Sequence, residues 1–233
     1  TETPPLAYFW GEDAFLIERA ARTYADRIAP PGELMEVFRA SLDDDAGEQG
    51  GSTSVSKRRA TALDGIEQHL GMAPLFGAGT LGVVRQPAGL LAEKDTRARL
   101  IELVATVPAG NALCVTDLTA SGAKGPAARG ALRDAIADAG GVVQEFKTPG
   151  AGQLEPWLVK RAKELEVELQ PQGARLLAER VGGHIRESDV DRRRRTELAN
   201  MELEKLALYR PGGTISAEDV DALVSETIPG STW

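Results

Sequence analysis

Few clusters in this sequence hold residue types that do chemistry. Ser121-Gly122-Ala123-Lys124-Gly125 combines glycines, a hydroxyl and a lysine, the parts of a phosphate cradle. Such a cradle needs them as Gly-x-x-x-x-Gly-Lys-[Ser/Thr] after the first strand of an α/β fold, where backbone N–H groups curl round phosphate and the lysine reaches the terminal ones. That spacing is missing here, and no Gly-Lys dipeptide occurs anywhere in the chain. Asp43-Asp44-Asp45 offers carboxylates to a cation, but no other ligand is placed nearby in sequence, so the segment reads as an acidic loop. His69 and His184 are the only histidines, and neither has a Cys or acidic partner at ligand spacing. Cys114 is the sole cysteine, which excludes an internal disulfide and a multi-cysteine zinc site; within an apolar run it reads as a small buried hydrophobe. These residues imply no metal site, no cofactor and no catalytic group. Four arginines, Arg192 to Arg195, would point all round a helix, and Glu187, Asp189, Asp191 and Glu197 flank them. That pattern reads as a solvated, ion-paired helix in preference to a nucleic-acid patch.

The elements that would position such residues change character along the chain. Short apolar runs at Leu6–Trp10, Leu34–Phe38, Thr80–Val84, Asn111–Thr116 and Val142–Phe146 alternate with helical patterns, among them Arg58–Leu70. Residues 43 to 57 read as a long loop. Five repeats of strand and helix imply a mostly parallel five-stranded sheet with helices on both faces, filling residues 1–147. The Pro/Gly segment Lys147–Gly152 then breaks the pattern. Residues 153–228 carry helical spacing and no strand signal, with Ser216 and Asp219 placed as an acidic capping box, so an all-helical second domain is expected. The 233 residues are 42% hydrophobic, enough for a core, and no run approaches a membrane span or a secretory signal. The net charge of −8 disfavours wrapping nucleic acid with the whole surface.

An α/β domain followed by a small helical one suggests a nucleotide-binding ATPase, yet the first strand is followed by Gly11-Glu12-Asp13-Ala14-Phe15, too short to hold a triphosphate. Glu12 and Asp13 place negative charge where a helix N-terminus would attract phosphate, and are expected to cap that helix themselves. The third strand ends Val83-Val84-Arg85-Gln86, without an acidic pair for Mg²⁺.

Four segments carry a family likeness. They are Tyr8-Phe9-Trp10-Gly11-Glu12-Asp13-Ala14-Phe15-Leu16, Pro74-Leu75-Phe76-Gly77 with Leu81–Arg85, Leu154-Glu155-Pro156-Trp157-Leu158, and Glu202–Tyr209 with Thr214-Ile215. In order and spacing the chain resembles the delta subunit of the bacterial DNA polymerase III clamp loader, over its first two domains. The resemblance implies an AAA+-like domain without a working P-loop, then a helical lid. The family's third, helical collar domain is not found in this sequence, and the stretch His184–Arg195 looks longer than the family's usual link between lid helices.

The resemblance also implies a role: a cytoplasmic, non-catalytic subunit of a replication assembly that binds the sliding clamp, holds one of its interfaces open, and works with other clamp-loader subunits and primed DNA. An apolar wedge at the end of a helix makes the clamp contact in that family, and the matching positions are Leu75 and Phe76. On their own, two such side chains read as core residues. Gly71, Pro74, Gly77 and Gly79 put them on a turn, where large apolar groups are often binding anchors. Lys124 is a candidate DNA-facing residue. Two rival readings are a divergent NTPase of the same fold and the stator-like delta-prime type of subunit.

Overall fold

In the computed structural model, residues 3–41, 52–74, 77–120, 127–182 and 189–225 are described. The chain divides into two compact units, one of residues 1–12 and 16–146, the other of residues 13–15 and 147–233.

The first unit runs β1 (Leu6–Gly11), α1 (Ala14–Ile28), β2 (Glu36–Ser41), α2 (Ser52–Leu70), β3 (Thr80–Arg85), α3 (Ala88–Leu91), α4 (Lys94–Thr106), β4 (Ala112–Leu118), α5 (Ala127–Asp138) and β5 (Val142–Phe146). The five strands form one all-parallel sheet in the order β2-β3-β4-β1-β5. Parallel strands need covering layers on both faces, which is why β1 and β4 are near-continuous apolar runs. The two-residue side-chain period divides β1 between them. Leu6, Tyr8 and Trp10 join the core under α2, α4 and α5, whereas Ala7 and Phe9 pack with Ile17 and Tyr24 of α1 on the other face. Each large side chain buried this way contributes roughly 1.5–3 kcal/mol.

Two boundaries differ from the sequence expectation. The second strand was expected at Leu34–Phe38 but lies at Glu36–Ser41. Its position is set by parallel pairing with β3, Glu36 opposite Thr80 through Ser41 opposite Arg85, and not by the apolar run; Leu34 is 94% exposed. Helix α2 begins at Ser52 instead of Arg58, because adding weak helix formers to an existing helix costs far less than nucleating a new one. The acidic cluster Asp43–Asp45 lies outside the described residues.

The second unit contains α6 (Ala151–Glu164), β6 (Glu168–Leu169), α7 (Pro171–Gly182), α8 (Asp189–Tyr209), β7 (Thr214–Ile215) and α9 (Ala217–Leu223). Leu154, Leu158, Leu177, Leu203, Leu206, Ile215 and Val220 form its core. The unit is not wholly helical: β6 and β7 pair in parallel, tied by Glu168 N–H to Gly213 O (3.0 Å) and Gln170 N–H to Ile215 O (3.0 Å). Two-residue strands are too short to leave an alternation signal. The expected capping box is present: Asp219 N–H donates to Ser216 Oγ (3.3 Å) and Ser216 N–H donates to Asp219 Oδ2 (3.0 Å). Asp13, expected to cap α1, is buried and accepts a hydrogen bond from the Thr196 hydroxyl at 2.6 Å. In the arginine run, Arg194 is exposed and ion-pairs with Glu197, as a solvated helix face should, but Arg195 is buried. No described helix is long and apolar enough to cross a membrane.

Candidate functional site

The turn between α2 and β3 carries the residue pair singled out by the sequence. Leu75 and Phe76 themselves lie outside the described residues, but the base of the turn is well defined. Helix α2 closes where Gly71 N–H donates to Glu67 O at 2.7 Å. The buried side chain of Asn111, in the turn before β4, then ties three backbone segments together. Its amide nitrogen donates to Leu70 O (3.1 Å) and Met72 O (2.8 Å), and its amide oxygen accepts from Thr80 N–H (2.9 Å). One side chain thereby satisfies three of its four hydrogen-bonding positions and joins the end of a helix to the start of a strand. Backbone approaches backbone beneath it. Gly79 has φ +78°, and a Cβ there would lie 2.2 Å from Gly110 O, so glycine alone suits the position. Met72 projects from this base, 72% exposed.

Sequence reasoning placed Asn111 only at the start of a strand. A signal was present: an amide at the mouth of a fully buried strand must find partners. Which partners those are depends on the fold, since they lie 31 to 41 residues away.

At the opposite, C-terminal edge of the sheet, the position of a phosphate loop is occupied by hydrogen bonds within the unit. Gly11 has φ +140°, and a Cβ on it would lie 2.1 Å from Phe146 O. Glu12 N–H donates to that carbonyl at 3.0 Å, and Thr119 N–H donates to Gly11 O at 2.7 Å. At the end of β3, Arg85 pairs with Glu18 at 2.6 Å. Near the end of β4, Asp117 is buried; it accepts from the Tyr8 hydroxyl at 2.7 Å and faces Arg129 Nε at 2.9 Å. Burial raises the Asp117 carboxyl above its ordinary range, against the opposing pull of Tyr8, Arg129 and Arg133. Burial, then the neighbouring Asp117 charge, raises the Tyr8 phenol. Arg133 lies over the Trp10 ring, 4.1 Å from its centre. The expected fourth strand stopped at Thr116, so sequence reasoning missed this network. Lys124 lies outside the described residues.

The other sequence candidates take structural places. His69 Nδ1 is 2.8 Å from Gly65 O, and its ring stacks on Phe38 at 4.0 Å. Cys114 is buried, and desolvation pushes its thiol up to about 12. Among the described residues, no group of three or more His, Cys, Asp or Glu side chains is placed to hold a metal ion.

Comparison with solved structures places this arrangement of sheet and helices. The chain superposes on the Bacillus subtilis DNA clamp loader delta protein with a TM-score of 0.61 and 17% identity, covering 97% of this chain and 59% of that one. The two share a fold. That fold is a five-stranded parallel sheet covered by helices. The chain thus spans less than two thirds of the length of the delta protein it matches. Weaker likenesses join it to the Thermotoga maritima RuvB Holliday junction branch migration motor (TM-score 0.45, 12% identity, 95% of this chain and 61% of that one) and to the Aeropyrum pernix ORC1 protein in complex with DNA (0.41, 17%, 95% and 59%). No protein-family profile and no curated protein sequence matches the chain.

Proposed function

We propose that this chain is a non-catalytic clamp-loader subunit that binds and opens the sliding DNA clamp, using Leu75 and Phe76 as its anchor. The observation that carries the reading is the likeness to a clamp loader delta protein over 97% of the chain. The turn bearing the pair adds to it. Leu70, Met72 and Thr80 are held by one buried side chain, so the tip stands on a fixed base, as an anchor must if binding is to cost little ordering entropy. Two large apolar side chains entering a pocket on the clamp would supply binding energy without nucleotide hydrolysis. Against nucleotide chemistry stand the absent Gly-Lys and the Glu12 N–H committed to Phe146 O. The partners of this reading are the ring-shaped clamp, the other subunits of the loader and primed DNA.

Surface plasmon resonance against the sliding clamp of the source organism tests the proposal. Buried anchors of this kind typically carry 2 kcal/mol or more, so Leu75→Ala and Phe76→Ala should each weaken binding about 30-fold or more with little change in melting temperature. Wild-type protein that does not bind the clamp, or variants that lose affinity only in step with folded fraction, would overturn it.

A further inference from the structure

The parallel sheet of the first unit is covered unequally. On the face opposite α2, α4 and α5, the buried cluster draws on a single helix, α1. It seals β1 and β4, where Ala7, Phe9, Ala112 and Cys114 are buried. Toward the edge strand β2 that cover ends among the described residues. Val37 there is 38% exposed, Val83 is half-buried, and Arg39 and Arg85 are exposed. Two adjoining hollows of about 380 Å³ and 360 Å³ fill the space between α1 and the β2–β3 half of the sheet, sharing Ala25, Asp26, Val37 and Leu81. Parallel sheets are normally covered on both faces, so an open half is a surface prepared for something else.

The chemistry of the groove says what. Register places Val37 beside Leu81 and Arg39 beside Val83, giving an aliphatic floor with a guanidinium at its edge. Arg22 of α1 lines the same hollow. Arg85 is neutralised by Glu18, but neither Arg22 nor Arg39 has an ion-pair partner among the described residues. Asp26, one turn further along α1, and Glu33 give the groove a polarity, with Arg22 and Arg39 in one hollow and these acids lining the other. Among the described residues no aromatic ring lines either hollow, so they offer no platform for stacking nucleobases.

We propose that this groove binds an extended peptide segment of a partner protein that carries acidic residues beside aliphatic ones, its carboxylates on Arg22 and Arg39 and its apolar side chains on Val37, Leu81 and Val83. Arginine suits the role because its planar fork takes a carboxylate in two parallel hydrogen bonds. Neither hollow is lined by a described residue of the 71–79 turn, and the inference does not depend on the clamp reading.

The test uses the labelled 233-residue chain on an array of decapeptides mixing Asp or Glu with Leu, Ile or Val, each printed beside its Asn/Gln counterpart. The strongest peptide is then titrated by fluorescence anisotropy. Acidic members should bind, their amide counterparts at least tenfold more weakly. The double variant Arg22→Ala/Arg39→Ala and the single variant Val37→Glu should each lose at least tenfold while keeping the wild-type melting temperature. Arg175→Ala, on the exposed face of α7, should stay within twofold. An array without acidic preference, or a double variant that binds as wild type does, would overturn the proposal. So would a labelled 20-mer of oligothymidine that binds more tightly than any peptide and is lost in the same double variant, because the groove would then take phosphate.

Discussion

The Tyr8 hydroxyl meets the Asp117 carboxylate at 2.7 Å across the centre of the sheet, joining strands far apart in sequence. Asp117 also pairs with Arg129 of α5, while its second oxygen, Oδ1, is buried without a hydrogen bond among the described residues. Removing one member of a buried pair leaves the other charge uncompensated, so Asp117→Ala should cost about 3 kcal/mol. Tyr8→Phe removes only a neutral donor and should cost about 1–2 kcal/mol. Asp117→Asn should be milder than Asp117→Ala, since the amide keeps an acceptor for Tyr8 and removes a charge that burial already disfavours. Urea denaturation of the three variants checks the order; an Asn variant as damaged as the Ala variant would contradict it.

Asn111→Ala would strand Leu70 O, Met72 O and Thr80 N–H together. Unsatisfied buried groups cost about 1–3 kcal/mol each, and partial access to water makes a total near 2–3 kcal/mol the expectation. If the side chain sets the direction of the turn, clamp affinity should fall further than stability explains, when measured where the variant is almost wholly folded. Affinity equal to wild type under those conditions would show that the turn holds its shape without the staple.

Mg-ATP should leave the melting temperature unchanged at millimolar concentration. A ligand that binds the native state must raise stability by RT ln(1 + [L]/Kd), so differential scanning fluorimetry is sensitive to any micromolar site. A saturable upward shift would reinstate the enzyme reading.

Acid should weaken the second unit through Asp219. Hydrogen bonds from Arg210, at 2.8 and 3.1 Å, and the Ser216 cap hold its carboxyl at about 2, below the ordinary 3.8. A depressed pKa contributes stability that is complete above the unfolded value and is lost as pH falls from about 4 through about 2. An amide at this N3 position keeps an oxygen to accept from Ser216 N–H, so Asp219→Asn isolates the charge. Melting curves from pH 5 to pH 2 should show a shallower slope for the variant; identical slopes would assign the acid sensitivity elsewhere.

Particular residues show why some of this was legible in sequence. Strands β1, β3 and β4 stood out because burial on both faces demands continuous apolar runs such as Leu6–Trp10. Strand β2 was misplaced for the opposite reason: an edge strand with one half-covered face tolerates Arg39 and Ser41, so hydrophobicity does not mark its end. The Ser216–Asp219 cap was readable because both partners lie within one helical turn. Asn111 and the Tyr8–Asp117 pair were not, because their partners are brought together only by the completed sheet. The break between α2 and β3 was expected from Gly71, Pro74, Gly77 and Gly79, while the Asn111 amide at its base was not.

Strand order also governs how the chain comes off the ribosome. β1 is made before every other strand of its sheet yet lies between β4 and β5, the last two of that sheet, with Leu6 beside Leu113 and Ala7 beside Val142. At about 5–20 residues per second, the growing chain carries Leu6–Trp10 without either neighbour for on the order of ten seconds. During that interval its backbone edges and aromatic side chains are open to other chains. Growing protein that stalls before Val142 should be far more prone to clump, and more dependent on chaperones, than protein stalled a few residues after Phe146.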